Sequence, residues 1–141
     1  MKLNLGCGPY KADGYVNIDK NPQQHPDLEC DLRGGIPFAN DTIKEVRAWH
    51  FLEHFDNDPL LDLIAEAYRV LQPGGLFDIA VPLGVTGCLD HCMIFTDFSF
   101  DQLCRDGGSY FNRTFSWKEV SRSIEDLGWA KVLHIILRAE K

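Results

Sequence analysis

The sequence predicts a doubly wound, mostly parallel α/β sheet in one compact domain, and three observations carry that expectation. Strand-like and helix-like segments alternate along the chain, the signature of a sheet built from crossover units and covered on both faces. A short apolar run, Lys2 to Leu5, leads straight into the turn Gly6-Cys7-Gly8, and a second apolar run ends on Asp19. With 141 residues the chain can bury a real core, and no composition shift marks a second domain, so residues 1–141 read as one unit.

Taken in order, strands are expected at Lys2 to Leu5, Tyr15 to Ile18, Leu28 to Leu32, Glu45 to Trp49, Leu76 to Val81 and Ala130 to Leu137. The clearest helix is Pro59 to Leu71, with Asp58 as N-cap, proline opening the first turn and Pro73-Gly74-Gly75 as the stop. Its stripe of Leu60, Ile64, Ala67, Tyr68 and Leu71 has helical spacing and should face the sheet. Ser116 and Glu119 have capping-box spacing, which predicts a second helix turning Trp117, Val120, Ile124 and Leu127 inward and stopping at Gly128.

The glycine turn carries the chemistry. Glycine lets the backbone turn sharply and approach a ligand with no Cβ in the way, and an acid one strand later can accept both hydroxyls of a ribose. A dinucleotide site would continue its glycines into a long helix whose N-terminus holds a pyrophosphate. Here the next in-register position is Lys11, and the segment from Gly8 to Tyr15 is far shorter than the dozen or so residues a parallel crossover usually needs. The pattern argues against a pyrophosphate ligand and leaves open a nucleoside without phosphates, such as S-adenosylmethionine. The polar PYKADG segment cannot cover the sheet as a helix would, so self-association or the Asn21 to Leu28 segment is expected to shield that flank.

Composition excludes several classes. The net charge of −7, with 14 basic residues scattered among 21 acidic ones, offers no basic run for nucleic acid. Five cysteines, odd in number and without paired C-x-x-C spacing, suit reduced thiols better than a disulfide framework. A strand beginning almost at Met1 leaves no room for a signal peptide, and no apolar run reaches membrane length. A cytoplasmic protein with no membrane and no nucleic-acid partner is expected.

LNLGCG, GYVNID, the CDL at Cys30 to Leu32, IPF at Ile36 to Phe38, HFLEHF at His50 to Phe55, and EAYRVLQPGG leading into FDIAVP together resemble the class I S-adenosylmethionine-dependent methyltransferases. The likeness is to a small subset with an abbreviated first helix, and it runs in order from Lys2 to about Phe115. It implies a Rossmann-like fold, S-adenosyl-L-methionine as cofactor, and direct methyl displacement onto a small-molecule or saccharide acceptor. By position it implies that Gly6 and Gly8 pass beside the methionine part, Asp19 accepts from the ribose, and Asp31 accepts from the adenine amino group between Leu32 and Ile18. Asn4 stands where most relatives carry an acid supporting the glycine turn. The alternative is a noncatalytic protein of the same fold that binds or scaffolds, since the chain has no extra domain to select an acceptor.

His50 to His54 leaves a strand beside the first one, where open α/β sheets bind their ligands, so His50 and Glu53 are expected to face the transferred methyl or its acceptor, His50 also touching the cofactor. HFLEH matches the H-x-x-E-H of inverted zinc peptidases as letters, but it follows a strand directly. A divalent ion on His50, Glu53 and His54, as in some quinone-precursor methyltransferases, and a zinc site at Cys88, His91 and Cys92 are the other metal readings; a metal-free site is the expectation. The run LGVTGCLDHCMIFTDFSF resembles the family's substrate-side loop, which would bring Asp90 and His91 to the pocket mouth and Phe95, Phe98, Tyr110 and Phe111 over the acceptor. His91 or His50 has the pKa range that suits a general base at neutral pH.

Overall fold

The structure, a computed structural model, describes residues 1–105 and 112–141. The chain runs β1 (Lys2–Leu5), β2 (Val16–Asp19), β3 (Leu28–Glu29), β4 (Ile43–Trp49), α1 (Asn57–Val70), β5 (Leu71–Pro82), α2 (Asp101–Arg105), β6 (Trp117–Asp126) and β7 (Lys131–Ala139). The strands form one seven-stranded sheet in the order β3-β2-β1-β4-β5-β7-β6. Strands β1 to β5 are parallel, and β7 runs antiparallel to both of its neighbours. Winding outward in both directions from β1 and β4 makes this the doubly wound, Rossmann-like sheet the sequence predicts. Among the described residues, no helix is long and apolar enough to cross a membrane.

Side chains alternate between the two faces of a strand, so the register sorts them into rows. One row is Leu3, Val46, Phe77 and Leu137, and a second is Ala48, Ile79 and Ile135. All seven are fully buried, and they share one core with Leu60, Leu63, Ile64, Ala67 and Val70 of α1. The helix therefore forms where its apolar stripe meets these rows. It begins two residues before the expected start: Asp56 is the N-cap and makes no side-chain cap bond, so Pro59 sits within the first turn, where its missing N–H is not needed. Pro73-Gly74-Gly75 lies in a register shift between β4 and β5, where Ile43 pairs with Leu71 and Glu45 with Leu76.

The other face departs from the expected covering. Its helix-length connections are replaced by loops and single 3-10 turns, at Pro22–Gln24 and Leu32–Gly34. In place of apolar rows, this face carries a ladder of charge and aromatic rings. The Arg47 guanidinium lies 4.6 Å from the Tyr15 ring and 4.2 Å from the Trp49 ring, and Asp78 accepts from Arg47 Nε at 3.1 Å and from Trp49 Nε1 at 3.0 Å. Trp49 packs edge-on to His134, whose Nε2 lies 3.2 Å from Glu125. Glu45 pairs with Lys2 at 2.6 Å and accepts from the Tyr15 hydroxyl.

The shortened first crossover is held by a buried polar network. Asn4 Nδ2 donates to Asn17 Oδ1 at 2.9 Å and to the Tyr10 carbonyl, while Asn17 Oδ1 also accepts from the Ala12 N–H at 2.8 Å. Asp27 Oδ2 accepts from both the backbone and the side-chain nitrogen of Asn17, each at 2.8 Å. Asp27 thus ties the Asn21 to Leu28 segment to the shortened crossover.

The largest correction is β6. The expected helix from Ser116 to Leu127 is a strand paired along β7 from Trp117–Ala139 to Asp126–Lys131. Glu119 does not cap Ser116; it pairs with Arg122 Nη2 at 2.6 Å. Val120, a member of the supposed helical stripe, marks a bulge in the ladder. Gly128, with φ of +82°, turns a hairpin in which Leu127 N–H donates to the Ala130 carbonyl. A positive φ serves a helix C-cap and a hairpin turn alike, and the unpaired backbone of β7 decided between them.

Candidate functional site

Five chain segments reach one cleft of about 600 Å³ at the C-terminal ends of the parallel strands. That is the edge at which open α/β sheets bind ligands, and here it adjoins the point where strand order reverses between β1 and β4. Gly6 and Gly8 follow β1, Asp19 ends β2, Asp31 and Leu32 follow β3, and His50 follows β4; all six line the cleft.

The glycine turn is built for close approach. Gly6 has φ of +59°, and a Cβ there would lie 2.0 Å from the Phe51 ring, so both conformation and packing demand glycine. Gly8 has φ of +49°, and a Cβ there would meet nothing within 4 Å, which leaves its side open toward the cleft. A second cavity of about 410 Å³ shares Gly6, Gly8 and His50 with the first and is closed by Lys11, Arg47 and Trp49. The turn is therefore a thin wall between two hollows.

Both acids also work locally. Asp19 Oδ2 accepts from the Gly8 N–H at 2.9 Å and Oδ1 from the Asn21 N–H at 2.8 Å, so it shapes the glycine turn from the neighbouring strand. Asp31 caps the Leu32–Gly34 turn by accepting from the Arg33 N–H at 3.0 Å. Each carboxylate oxygen retains a lone pair for a ligand. Leu32 reaches the cleft, whereas Ile18, expected beside it, is fully buried in the core.

His50 has φ of +50°, and its N–H donates to the Ala80 carbonyl at 2.8 Å, extending the β4–β5 ladder by one bond. Its Nδ1 stands 3.7 Å from Glu53 Oε1, long for a hydrogen bond and apt for an ion pair. The Glu53 carboxylate holds the His50 imidazole above its ordinary pKa, against the opposing effect of burial. Glu53 itself is 1% exposed and lies beneath the cleft, not on its wall.

The loop after β5 reaches the same end. Asp90 and Cys92 line the cleft, and His91 sits just behind them, edge-on to His54 with ring centroids 5.0 Å apart. Of the expected aromatic wall, Phe95 is core, stacked on Phe100; Phe98 is exposed; Tyr110 and Phe111 lie outside the described residues. Sequence reasoning missed Phe51, Phe55 and Arg33, which also line the cleft, with Arg33 5.0 Å over the Phe55 ring. The aromatic residues flanking LEH in HFLEHF were the available signal.

No protein-family model matches the chain, and no curated protein matches it in sequence. Solved structures do match. A candidate methyltransferase from Bacillus halodurans C-125 superposes with a TM-score of 0.77 at 10% identity, over 99% of this chain and 92% of that one. A SAM-dependent methyltransferase from Methanosarcina mazei gives 0.73 at 16% identity, over 99% and 92%. The Burkholderia thailandensis 1,6-didemethyltoxoflavin-N1-methyltransferase, with 1,6-didemethyltoxoflavin and S-adenosylhomocysteine bound, gives 0.73 at 15%, over 99% and 71%. The [4+2]-cyclase SpnF also matches, with a TM-score of 0.71 at 14% identity, over 99% and 75%. Likeness at such identities speaks of architecture, and the cyclase among the neighbours separates architecture from reaction. Strand order, the reversed β7 and these superpositions agree that this chain has the fold of the class I S-adenosylmethionine-dependent methyltransferases.

Proposed function

We propose that the protein transfers a methyl group from S-adenosyl-L-methionine to a small-molecule or saccharide acceptor by direct displacement. The observation that carries this reading is the convergence of Gly6, Gly8, Asp19, Asp31, Leu32 and His50, from four segments, on one cleft. Its volume of about 600 Å³ lies within the roughly 300–1,000 Å³ usual for small-ligand pockets. The open space at Gly8 and the free lone pairs of two strand-end acids fit a nucleoside carrying an amino-acid tail. When bound, the cofactor supplies an already activated methyl group.

The protein's part is mainly positioning. Gly6 and Gly8 would let the chain pass beside the amino-acid tail, Asp19 would hold the ribose, and Asp31 with Leu32 would hold the base. His50 would face the transferred methyl with Glu53 behind it, while Asp90 and His91 would stand on the acceptor side. Fixing the acceptor in line removes the entropy of encounter, which is worth up to roughly 7–11 kcal/mol in well-oriented systems. The second reading, a noncatalytic binding protein, has in its favour the small covering over the acceptor end: in the loop after β5, Phe98, expected over the acceptor, is exposed and Phe95 lies in the core.

A screen for S-adenosylhomocysteine production over small metabolites, nucleotide sugars and glycans separates the two. Asp19→Ala is expected to weaken cofactor binding by about 2 kcal/mol or more, since charge-assisted bonds are worth roughly 1.5–3 kcal/mol. Because Asp19 also holds the Gly8 turn, Asp19→Asn is the companion variant. Calorimetry that finds both folded variants binding the cofactor as the parent does would remove this residue from the site.

A further inference from the structure

Glu53 is the only buried charged side chain among the described residues, and its Oε2 has no hydrogen-bond partner. An ionised carboxylate in that position carries a desolvation cost that hydrogen bonds or a nearby cation must offset, and Oε2 has no hydrogen bond to do so. His50 stands off at 3.7 Å on the other oxygen. Two further imidazoles gather at the carboxylate: His54 from the same 3-10 turn, and His91 from the loop after β5. One ligand atom of each of Glu53, His54 and His91 lies within 4.8 Å of the others.

The loop is fastened to this spot. The Cys92 and Met93 N–H groups both donate to the Glu53 carbonyl, at 2.8 and 3.1 Å. Each imidazole also has an outer partner on Nδ1: Thr86 Oγ1 at 2.7 Å for His91, and the Asp90 carbonyl at 3.2 Å for His54. Outer partners of this kind fix the tautomer and orientation of a ligating ring and leave Nε2 available.

We propose that Glu53, His54 and His91 form a divalent transition-metal site, with zinc(II) as the ion that matches two imidazoles and one carboxylate. Such sets hold zinc at about 2.0–2.2 Å per bond and keep a fourth position open in catalytic centres. Ligand atoms on one tetrahedral zinc stand roughly 3.3–3.5 Å apart, so the three groups, within 4.8 Å of one another, would draw together on binding. His54 and Asp90 line the cleft, so the open position faces its acceptor end. On the methyl-transfer reading, an ion there would select acceptors that present an oxygen donor; zinc binding itself does not depend on that reading. Cys88, Asp90 and His91 form a rival group on the exposed rim, but all three lack the buried, unpartnered charge that singles out Glu53.

Zinc(II) titrated calorimetrically into chelator-stripped protein should bind at one equivalent. Glu53→Gln and His91→Ala should each weaken it beyond the roughly 10–100-fold that loss of an outer partner costs, and Thr86→Val should weaken it within that range. Cys88→Ser should leave it unchanged. His91→Ala changes a partly exposed loop residue, so a thermal melt like the parent's keeps the test valid if Glu53→Gln misfolds. Substoichiometric binding at tens of micromolar zinc, or binding lost in Cys88→Ser and kept in His91→Ala, would overturn the site. Zinc binding without any methyl transfer would overturn the enzymatic reading and leave the site standing.

Discussion

The two faces of the sheet solve the same problem by opposite means. One face buries Leu3, Val46, Phe77, Ile79 and Ile135 under α1, and the other presents Tyr15, Arg47, Trp49, Asp78 and His134 with no helix above them among the described residues. A helix layer is required only where the outward strand positions are apolar, because the sheet's backbone is already paired within the ladder. Polar and aromatic residues at alternate positions let this chain keep seven strands with few helices.

The sharpest way to break the covered face is Phe77→Ala. Phe77 is fully buried at the centre of that face, and the cavity left should cost about 3–5 kcal/mol in chemical denaturation. A loss under 1 kcal/mol would mean the core collapses freely there. Next in size is Asn17→Ala, which strips partners from Asn4, Ala12 N–H and Asp27 together and should cost about 2–3 kcal/mol. Hydrogen exchange should then rise first in the Tyr10 to Tyr15 loop.

Arg47→Ala tests the exposed face itself. Removing two cation–π contacts and the Asp78 pair should cost about 1–2 kcal/mol, well below Phe77→Ala. An equal loss at both positions would erase the distinction between the faces.

The smallest effect is acidic. Burial pushes the Glu45 carboxyl up, but bonds from Lys2 and Tyr15 outweigh it and leave the pKa below its ordinary 4.5. A depressed carboxyl stabilises the fold above its unfolded value and loses that contribution as pH falls through the folded one. Glu45→Gln should therefore flatten the stability profile below about pH 4.5 by about 1 kcal/mol or less. Parallel profiles for parent and variant would show that the ladder is not tuned electrostatically at Glu45.

Much of this was legible because the responsible signals are local. β1 occupies the predicted residues, since Lys2–Leu5 is an apolar run stopped by glycine. The cleft residues were legible because strand ends in a parallel sheet converge on one edge, so Asp19, Asp31 and His50 meet though they are far apart in sequence. What was hidden depends on distant partners. β6 is a strand because β7 would otherwise expose a ladder edge, and nothing within Ser116 to Leu127 records that need. Glu53 carries no mark in HFLEHF of being the buried member, and the loop that folds back onto its carbonyl through Cys92 and Met93 lies some forty residues away in sequence.

β6 is also the longer rim of the sheet, ten residues against two for β3 at the opposite side. An open rim of that length invites another chain to add a strand, the first step toward aggregation. Lys118, Glu119, Arg122, Glu125 and Asp126 set charge along it, and the bulge at Val120 interrupts its pairing surface. Glu119, which gave this segment the look of a capped helix, is one of the charges that keep its outer edge unattractive to a second sheet.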